Sequence, residues 1–178
     1  MKYNHFEIYE MLSNMIIIYD TREQDTPALH KRLEGFGCPS ERIKLDYGDY
    51  SCKTIDPSGE EINLSNVSVV ERKMNLDELC NCFTKGRQRF ENEFKRAISD
   101  NAKVHLLVEE GNYEKMFNGS YRSRLNPDAL IASYLAWAER YNIQLHFCHK
   151  ETTPRLIYKI MYYALKCHLE KFGGDCPS

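Results

Sequence analysis

The sequence predicts an α/β protein built on a central mixed β-sheet with helices on both faces. The first observation is order. Candidate elements run as strand, helix, two or three strands, helix, strand, helix, strand, helix, a pattern that sandwiches a sheet between helical layers. The second is size and composition: 178 residues, 42% hydrophobic and 28% charged, are enough for one domain around one substantial core. The third is the length of the apolar runs. The longest, around Met15–Tyr19, is far too short to span a bilayer, and the N-terminus lacks the basic, apolar, small-residue order of an export signal.

Residues 1–14 carry scattered apolar positions, among them Phe6, Ile8 and Leu12. They read as an extension, with a short helix, packed on a single domain over 15–172. Ile16-Ile17-Ile18-Tyr19 is a buried-strand signal that ends in Asp20-Thr21-Arg22-Glu23. Thr26-Pro27 reads as a helix cap and first turn; Leu29, Leu33 and Phe36 form its apolar face, and Gly35 and Gly37 end it. Arg42–Leu45 and Tyr47-Gly48-Asp49-Tyr50 lead into a strand through Ser51–Ile55. After the turn Asp56-Pro57-Ser58-Gly59, Glu61–Leu64 and Val67–Glu71 complete an antiparallel meander. Asn75 and Glu78 form a capping box for one long helix over 76–99. Lys103–Glu109 is a buried strand, 111–125 a polar, basic loop, and Asn126-Pro127-Asp128 caps a helix to about Tyr141. Ile143–Cys148 is a short strand. Thr153-Pro154 opens a last helix to about Phe172, and 173–178 is a fraying tail. The last helix carries Leu156, Ile157, Ile160, Met161, Leu165 and Leu169, more apolar surface than one face needs, which suits either a buried helix or a dimer interface.

Net charge is −2, so no global basic field advertises a nucleic-acid partner, and any such partner must be met by local patches. Five basic and two acidic residues fall between 85 and 96, and Lys115, Arg122 and Arg124 make a second cluster. Phosphate contacts from such patches would give affinity without reading sequence. The alternative is ordinary solvated charge. The seven cysteines are odd in number and include no Cys-x-x-Cys pair, which points to thiols in a reducing cytoplasm. Cys80-Asn81-Cys82 does not have the spacing of a structural zinc site.

The chemistry gathers at strand ends. Asp20 with Glu23, Asp49, Glu71 with Lys73, and Glu109 all sit where a strand stops or starts, and in open α/β sheets ligands bind beyond such ends. In Val69-Val70-Glu71-Arg72-Lys73 the period of two puts Glu71 and Lys73 on one face and Arg72 on the other. Taken alone, that stretch also reads as a strand running out into water. If neighbouring strands bring Asp20, Asp49 and Glu71 together, the carboxylates repel unless a cation stands among them. Hard oxygen donors suit Mg²⁺ or Mn²⁺. Such a site fits phosphodiester hydrolysis, with Lys73 orienting a water or stabilising charge on the phosphorane.

Asp20-Thr21-Arg22-Glu23, Gly48-Asp49-Tyr50 and Glu71-Arg72-Lys73-x-x-x-Asp77 resemble, in order and spacing, the nuclease domain of the XPF/MUS (ERCC4-type) structure-selective endonucleases, a branch of the PD-(D/E)XK superfamily. Lys85-Gly86-Arg87 is similar to that family's Gly-Arg element. The resemblance covers roughly 15–150. It implies a restriction-endonuclease-like fold and Mg²⁺-dependent cleavage of DNA near branches, flaps or single-strand/duplex junctions. It also implies that Asp49 and Glu71, with the Arg72 backbone carbonyl, hold the metal, that Lys73 is catalytic, and that Asp20, Arg22 and Glu23 line the site. Asp77 would support it from the helix start, and family nuclease domains usually pair.

Within the expected helix, Arg87 shares the face of Phe83 and Phe90, so it would need an acid or a phosphate; the alternative is a snorkelling arginine at the edge of the core. Lys85 and Arg89 point away and join Arg122 and Arg124 as candidate DNA contacts. About 30 residues (149–178) follow the last strand, and they read as one helix without the family's helix-hairpin-helix module. A stand-alone nuclease domain, of a kind suited to bacteria or mobile elements, is the expectation. The alternatives are a non-catalytic DNA-binding or pairing subunit, and a restriction-type or junction-resolving nuclease of the wider superfamily.

Overall fold

A computed structural model describes residues 3–173. Its strands are β1 (Ile16–Tyr19), β2 (Ser40–Arg42), β3 (Tyr50–Ile55), β4 (Glu61–Asn63), β5 (Ser68–Lys73), β6 (Lys103–Glu109) and β7 (Ile143–Cys148). Its helices are α1 (His5–Ser13), α2 (Pro27–Glu34), α3 (Leu76–Phe83), α4 (Arg87–Ser99), α5 (Tyr113–Phe117), α6 (Pro127–Tyr141) and α7 (Thr153–Gly173). The residues from 174 on, where the fraying tail was expected, lie outside the described residues.

The sheet order is β2-β1-β3-β5-β6-β7, with β4 paired to β3. β3 runs antiparallel to β1, β4 and β5; the pairs β1–β2, β5–β6 and β6–β7 are parallel. The expected meander is therefore altered. β4 and β5 share one edge of β3, since Lys53–Ile55 pair with β4 while Tyr50 pairs with Val70. The consequence for function is direct: the start of β3 meets the C-terminal ends of β1, β5 and β6 at one rim.

Strand alternation divides the core. Val69, Val104, Leu106 and Val108 pack with α3, α4 and α6 around Trp137. Ile17, Tyr50, Val70 and Leu107 pack on the other face with α1 and α7. Ile157, Met161, Leu165 and Leu169 recur every fourth residue and are all buried, so most of the apolar surface of α7 is spent inside the chain. On α1, Ile8, Met11 and Leu12 close the same cluster.

Local signals set most boundaries. Thr26 Oγ1 accepts from the Leu29 amide and Pro27 opens α2. Asn126 caps α6, which ends on Asn142 in the left-handed region. Asn75 Oδ1 accepts from the Glu78 amide, but Glu78 Oε2 takes the Met74 amide at 2.7 Å, so the expected box closes one residue early.

The expected helix over 76–99 is two helices. Thr84 leaves helical geometry at ψ −102. Its Oγ1 donates to the Cys80 carbonyl at 2.9 Å, and the Gly86 amide reaches back to the Asn81 carbonyl at 2.8 Å. These bonds compete with the helical ladder. A Cβ on Gly86 would stand 3.1 Å from the Asn81 oxygen, so glycine suits the tight return. The break lets Phe83 and Phe90 both meet Trp137, at 5.0 and 5.8 Å between ring centroids. A second difference is α5, a short helix capped by Asn112 inside the stretch expected to be a loop.

The Asp56 turn gives a pH-dependent prediction. Its carboxylate accepts from the Ser58 hydroxyl, the Glu60 and Ser58 amides and the Tyr3 hydroxyl. Led by the Ser58 and Glu60 bonds, these hold its pKa down at about 2, against an ordinary 3.8. A depressed carboxylate contributes stability that is present above 3.8 and lost as pH falls through about 2. Asp56→Asn is expected to lower the melting temperature near neutral pH and to flatten the loss on acidification, read by thermal scans across that window.

Candidate active site

The rim where β1, β3 and β5 converge holds an open cleft of about 690 Å³. Gly48 makes the convergence possible. Its φ is +74, and a Cβ there would lie 2.7 Å from Val69 Cβ. The chain thus lies directly on β5 in a backbone conformation that side chains resist. The Asp49 amide then bonds the Val70 carbonyl, the Asp20 amide bonds the Asp49 carbonyl, and Asp49 Oδ2 accepts from the Arg72 amide at 2.7 Å. Gly48→Ala is expected to cost about 2–4 kcal/mol, from left-handed strain plus overpacking against Val69. It should displace Asp49 as well, so both melting temperature and activity should fall.

Glu71 and Lys73 lie on the same face of β5, 6% and 8% exposed. Lys73 Nζ donates to Glu71 Oε1 at 2.5 Å and sits 5.0 Å from the Phe90 ring centroid, a favourable cation–π position. Burial alone would lower the Lys73 pKa, but the charge of Glu71 outweighs it with help from Asp49, and the amine is held charged. Asp49 goes the other way: burial, then the Glu71 charge, push its pKa well up. Arg72 faces the opposite side, as alternation requires. Its Nη1 donates to Glu109 Oε2 at 3.0 Å, and Glu109 Oε1 accepts from the Thr153 hydroxyl at 2.7 Å.

The structure places the other expected site residues as follows. Asp20 is fully buried, with Oδ1 engaged by the Arg22 amide and Nε and Oδ2 by the Leu45 amide. Burial opposes ionisation, yet these donors, led by Arg22, keep its pKa low. It is not among the residues lining the cleft. Asp20 thus stands behind Arg22, which reaches the Gly48 carbonyl at 3.2 Å and lies 3.5 Å from Glu93. Glu23 lines the cleft, its Oε2 shared by Arg32 Nη1 and the Tyr50 hydroxyl, both at 3.0 Å. Asp77 turns away to latch the following loop. Its Oδ1 accepts from the Arg122 and Ser123 amides, and its Oδ2 from Arg122 Nε.

Arg87 keeps the side of Phe90, three residues on within α4, but as the exposed first residue of that helix it snorkels at the edge of the core, its guanidinium 5.3 Å from the Trp137 ring centroid. It does not line the cleft, whereas Arg89 does. Lys85 is exposed in the break, and Arg122 and Arg124 are exposed on the latched loop.

Sequence reasoning missed Glu93, Arg32 and Lys150, all of which line the cleft. Glu93 lies four residues after Arg89, but only the start of α4 at Arg87 sets its direction. Burial and the charge of Glu71 raise its pKa, so it stands near the Glu71–Lys73 pair. Seven carboxylates and six cations line the cleft. Among the described residues, no three His, Cys, Asp or Glu side chains form a ready-made metal cage. Asp49 and Glu71 still suit a hard divalent cation, since both are oxygen donors that face one another in the cleft and repel as anions.

Residues 19–160 match the family model described as the ERCC4 domain. Two solved structures are similar. One is XPF from Aeropyrum pernix, 21% identical over 88% of this chain and 69% of that one, with a TM-score of 0.59. The other is XPF from Aeropyrum pernix in complex with DNA, 22% identical over 85% of this chain and 66% of that one, with a TM-score of 0.60. The chain therefore spans about two thirds of each. At these identities the likeness establishes the fold, the restriction-endonuclease-like arrangement of a mixed sheet between helices. No curated protein matches the sequence.

Proposed function

The chain belongs to the ERCC4 domain family of DNA nucleases, and from that premise we propose that it is an active, metal-dependent endonuclease that hydrolyses phosphodiester bonds in branched, flap or junction DNA. The observation that carries this is the buried Glu71–Lys73 pair facing Asp49 at the end of β5 in an open cleft. Asp49 and Glu71, with the Arg72 carbonyl, would hold Mg²⁺ or Mn²⁺. When bound, such an ion polarises the phosphate and makes water a stronger nucleophile at neutral pH.

The chain's own residues supply the rest. Lys73, kept charged by Glu71, offers its remaining protons to an attacking water or to a phosphorane oxygen. Phe90 shields the pair from solvent on one side. Arg22, Arg89 and Lys150 border the cleft and would bind phosphates flanking the scissile bond. Asp20 acts through Arg22, and Glu23 is held by Arg32 and Tyr50.

The catalytic reading is favoured over the noncatalytic one by Asp49, Glu71 and Lys73 lining one cleft together, with Glu93 beside them. Pairing with a second copy or a partner subunit is also proposed. The free edge of β7, at the end of the sheet, and Leu135 of α6, 52% exposed, offer surface for it. Among the described residues no helix is long and apolar enough to cross a membrane.

The test is incubation of purified protein with flap, fork, nicked and linear duplex DNA, with Mg²⁺, Mn²⁺ or EDTA. Cleavage of branched substrates is expected with either metal and none with EDTA. If Glu71→Gln protein cuts at the wild-type rate, the assignment is wrong.

A further inference from the structure

The sheet face under α7 changes character at the end far from the cleft. Ser68, Lys103 and His105 occupy positions where an apolar strand face would pack the helix. They line a second groove, of about 760 Å³, between the strand starts and α7. Lys159 and Lys171 line the same groove from α7, the Lys159 ammonium resting 5.5 Å from the Tyr162 ring centroid and 5.8 Å from that of Tyr158, and Asn101 and Asn142 add amide donors. No carboxylate lines it, in contrast to the cleft. None of the three lysines has an acidic partner among the described residues.

Two further observations point to a ligand. Ser68 is 4% exposed, and its Oγ has no hydrogen-bond partner among the described residues, which is unusual for a buried hydroxyl. Tyr163, 56% exposed, stands at the groove, its ring in T-shaped contact with that of Tyr162 at 5.4 Å between centroids. His105 and His146 stack and share a 2.9 Å contact. Burial, with neighbouring charge, pushes His105 down to about 3, so the lysines carry the charge.

The groove also has a direction. Its α7 lining runs from Leu156 to Lys171, about 22 Å at a helical rise of 1.5 Å per residue. Leu156 is one turn from Thr153, which bonds Glu109 of the cleft. The groove lies at the strand starts on the α7 face of the sheet, whereas Glu71 and Lys73 stand at the strand ends on the face packed by α3, α4 and α6.

We propose that this groove binds a single-stranded DNA arm through its phosphodiester backbone. The inference rests on the nuclease reading for the identity of the strand. Lysine ammonium groups and amide donors fit phosphates, and an exposed tyrosine beside them offers a stacking platform for a base.

The experiment uses the full chain in EDTA with fluorescein-labelled oligo-dT of 15 nucleotides, followed by anisotropy at several salt concentrations. The Lys103→Gln/Lys159→Gln/Lys171→Gln variant is expected to bind at least about tenfold more weakly at low salt, with a log–log salt slope shallower by about 2, from three lost charges at 0.7 each. The triple Lys→Arg variant should retain binding. Cleavage of a short duplex lacking a single-stranded arm should be unchanged by either. Unchanged oligo-dT affinity in the Gln variant overturns the proposal. So does an altered sedimentation coefficient accompanying the lost affinity, which would make the groove a contact between copies of the chain. Glu71→Gln protein should bind oligo-dT normally. If wild type cuts no DNA while the lysine variants lose oligo-dT, the nuclease reading fails and the groove stands.

Discussion

Asp49→Asn is expected to abolish cleavage and, in the same molecule, to raise the melting temperature of the metal-free protein. The two effects share one cause. Burial and the charge of Glu71 push the Asp49 pKa well above its ordinary 3.8, so the folded state holds that proton more tightly than the unfolded chain does. The stability this contributes is fully present below 3.8 and is lost as pH rises through the raised folded value. At neutral pH the native carboxylate is therefore a liability without a cation. Asparagine removes the charge and keeps an oxygen for the Arg72 amide, which Asp49 Oδ2 now accepts at 2.7 Å. The rise should be a few degrees, on the scale of about 2–4 °C per kcal/mol for a chain of this size, and should shrink on acidification. Mg²⁺ should stabilise wild type and leave the variant unmoved, because only a state that binds the ion gains from it. Cleavage should fall by more than about 100-fold, since removing even an outer partner of a metal site costs about 10–100-fold. An Asn variant that melts lower than wild type in EDTA would show that Asp49 is held by contacts worth more than its repulsion from Glu71.

Lys73→Met should have the larger effect on stability, in the opposite direction. The ammonium is 8% exposed, bonded to Glu71 and set over Phe90. Removing it leaves the buried Glu71 carboxyl without its partner and beside Asp49, and breaking a buried pair from one side costs about 3–5 kcal/mol. That corresponds to a drop on the order of 10 °C in EDTA. The turnover rate should fall by about 10²–10³-fold through loss of a donor to developing charge. Lys73→Arg should recover much of the stability and little of the activity, because the planar guanidinium cannot take the place of a compact ammonium. The Glu71→Gln/Lys73→Met double variant should be more stable than Lys73→Met alone, a coupling that a double-mutant cycle reads directly. Additive effects would mean that the two side chains do not depend on each other.

How much of this was legible in the chain varies from element to element. Glu71 and Lys73 on one face, with Arg72 on the other, follow from strand alternation alone, and their partners in the structure obey it. The caps at Thr26, Asn75 and Asn126 are local chemistry, and each accepts the amide bond expected of it. The Gly48-Asp49 dipeptide was recognisable as part of a motif. Its reason, a left-handed glycine pressed on Val69, was not.

The failures share a physical origin. Asp20 was expected among the carboxylates of the cleft, yet Arg22 and the Leu45 amide surround it, and the Leu45 contact depends on how the loop after β2 folds back. Arg87 was expected on the inner face with Phe83 and Phe90; it keeps that side, over Trp137, but the turn through Thr84–Gly86 leaves it at an exposed helix start. Glu93, three residues after Phe90 on the same helix, lies toward Glu71 and Arg22.

What the sequence determined by itself was therefore the order of the elements and the chemistry at the strand ends, because period, capping and alternation act over a few residues. Which acids converge was decided only by tertiary structure. Convergence depends on the register of β3 against β1 and β5 and on the phase of α4, and both are set by packing between segments far apart in the chain.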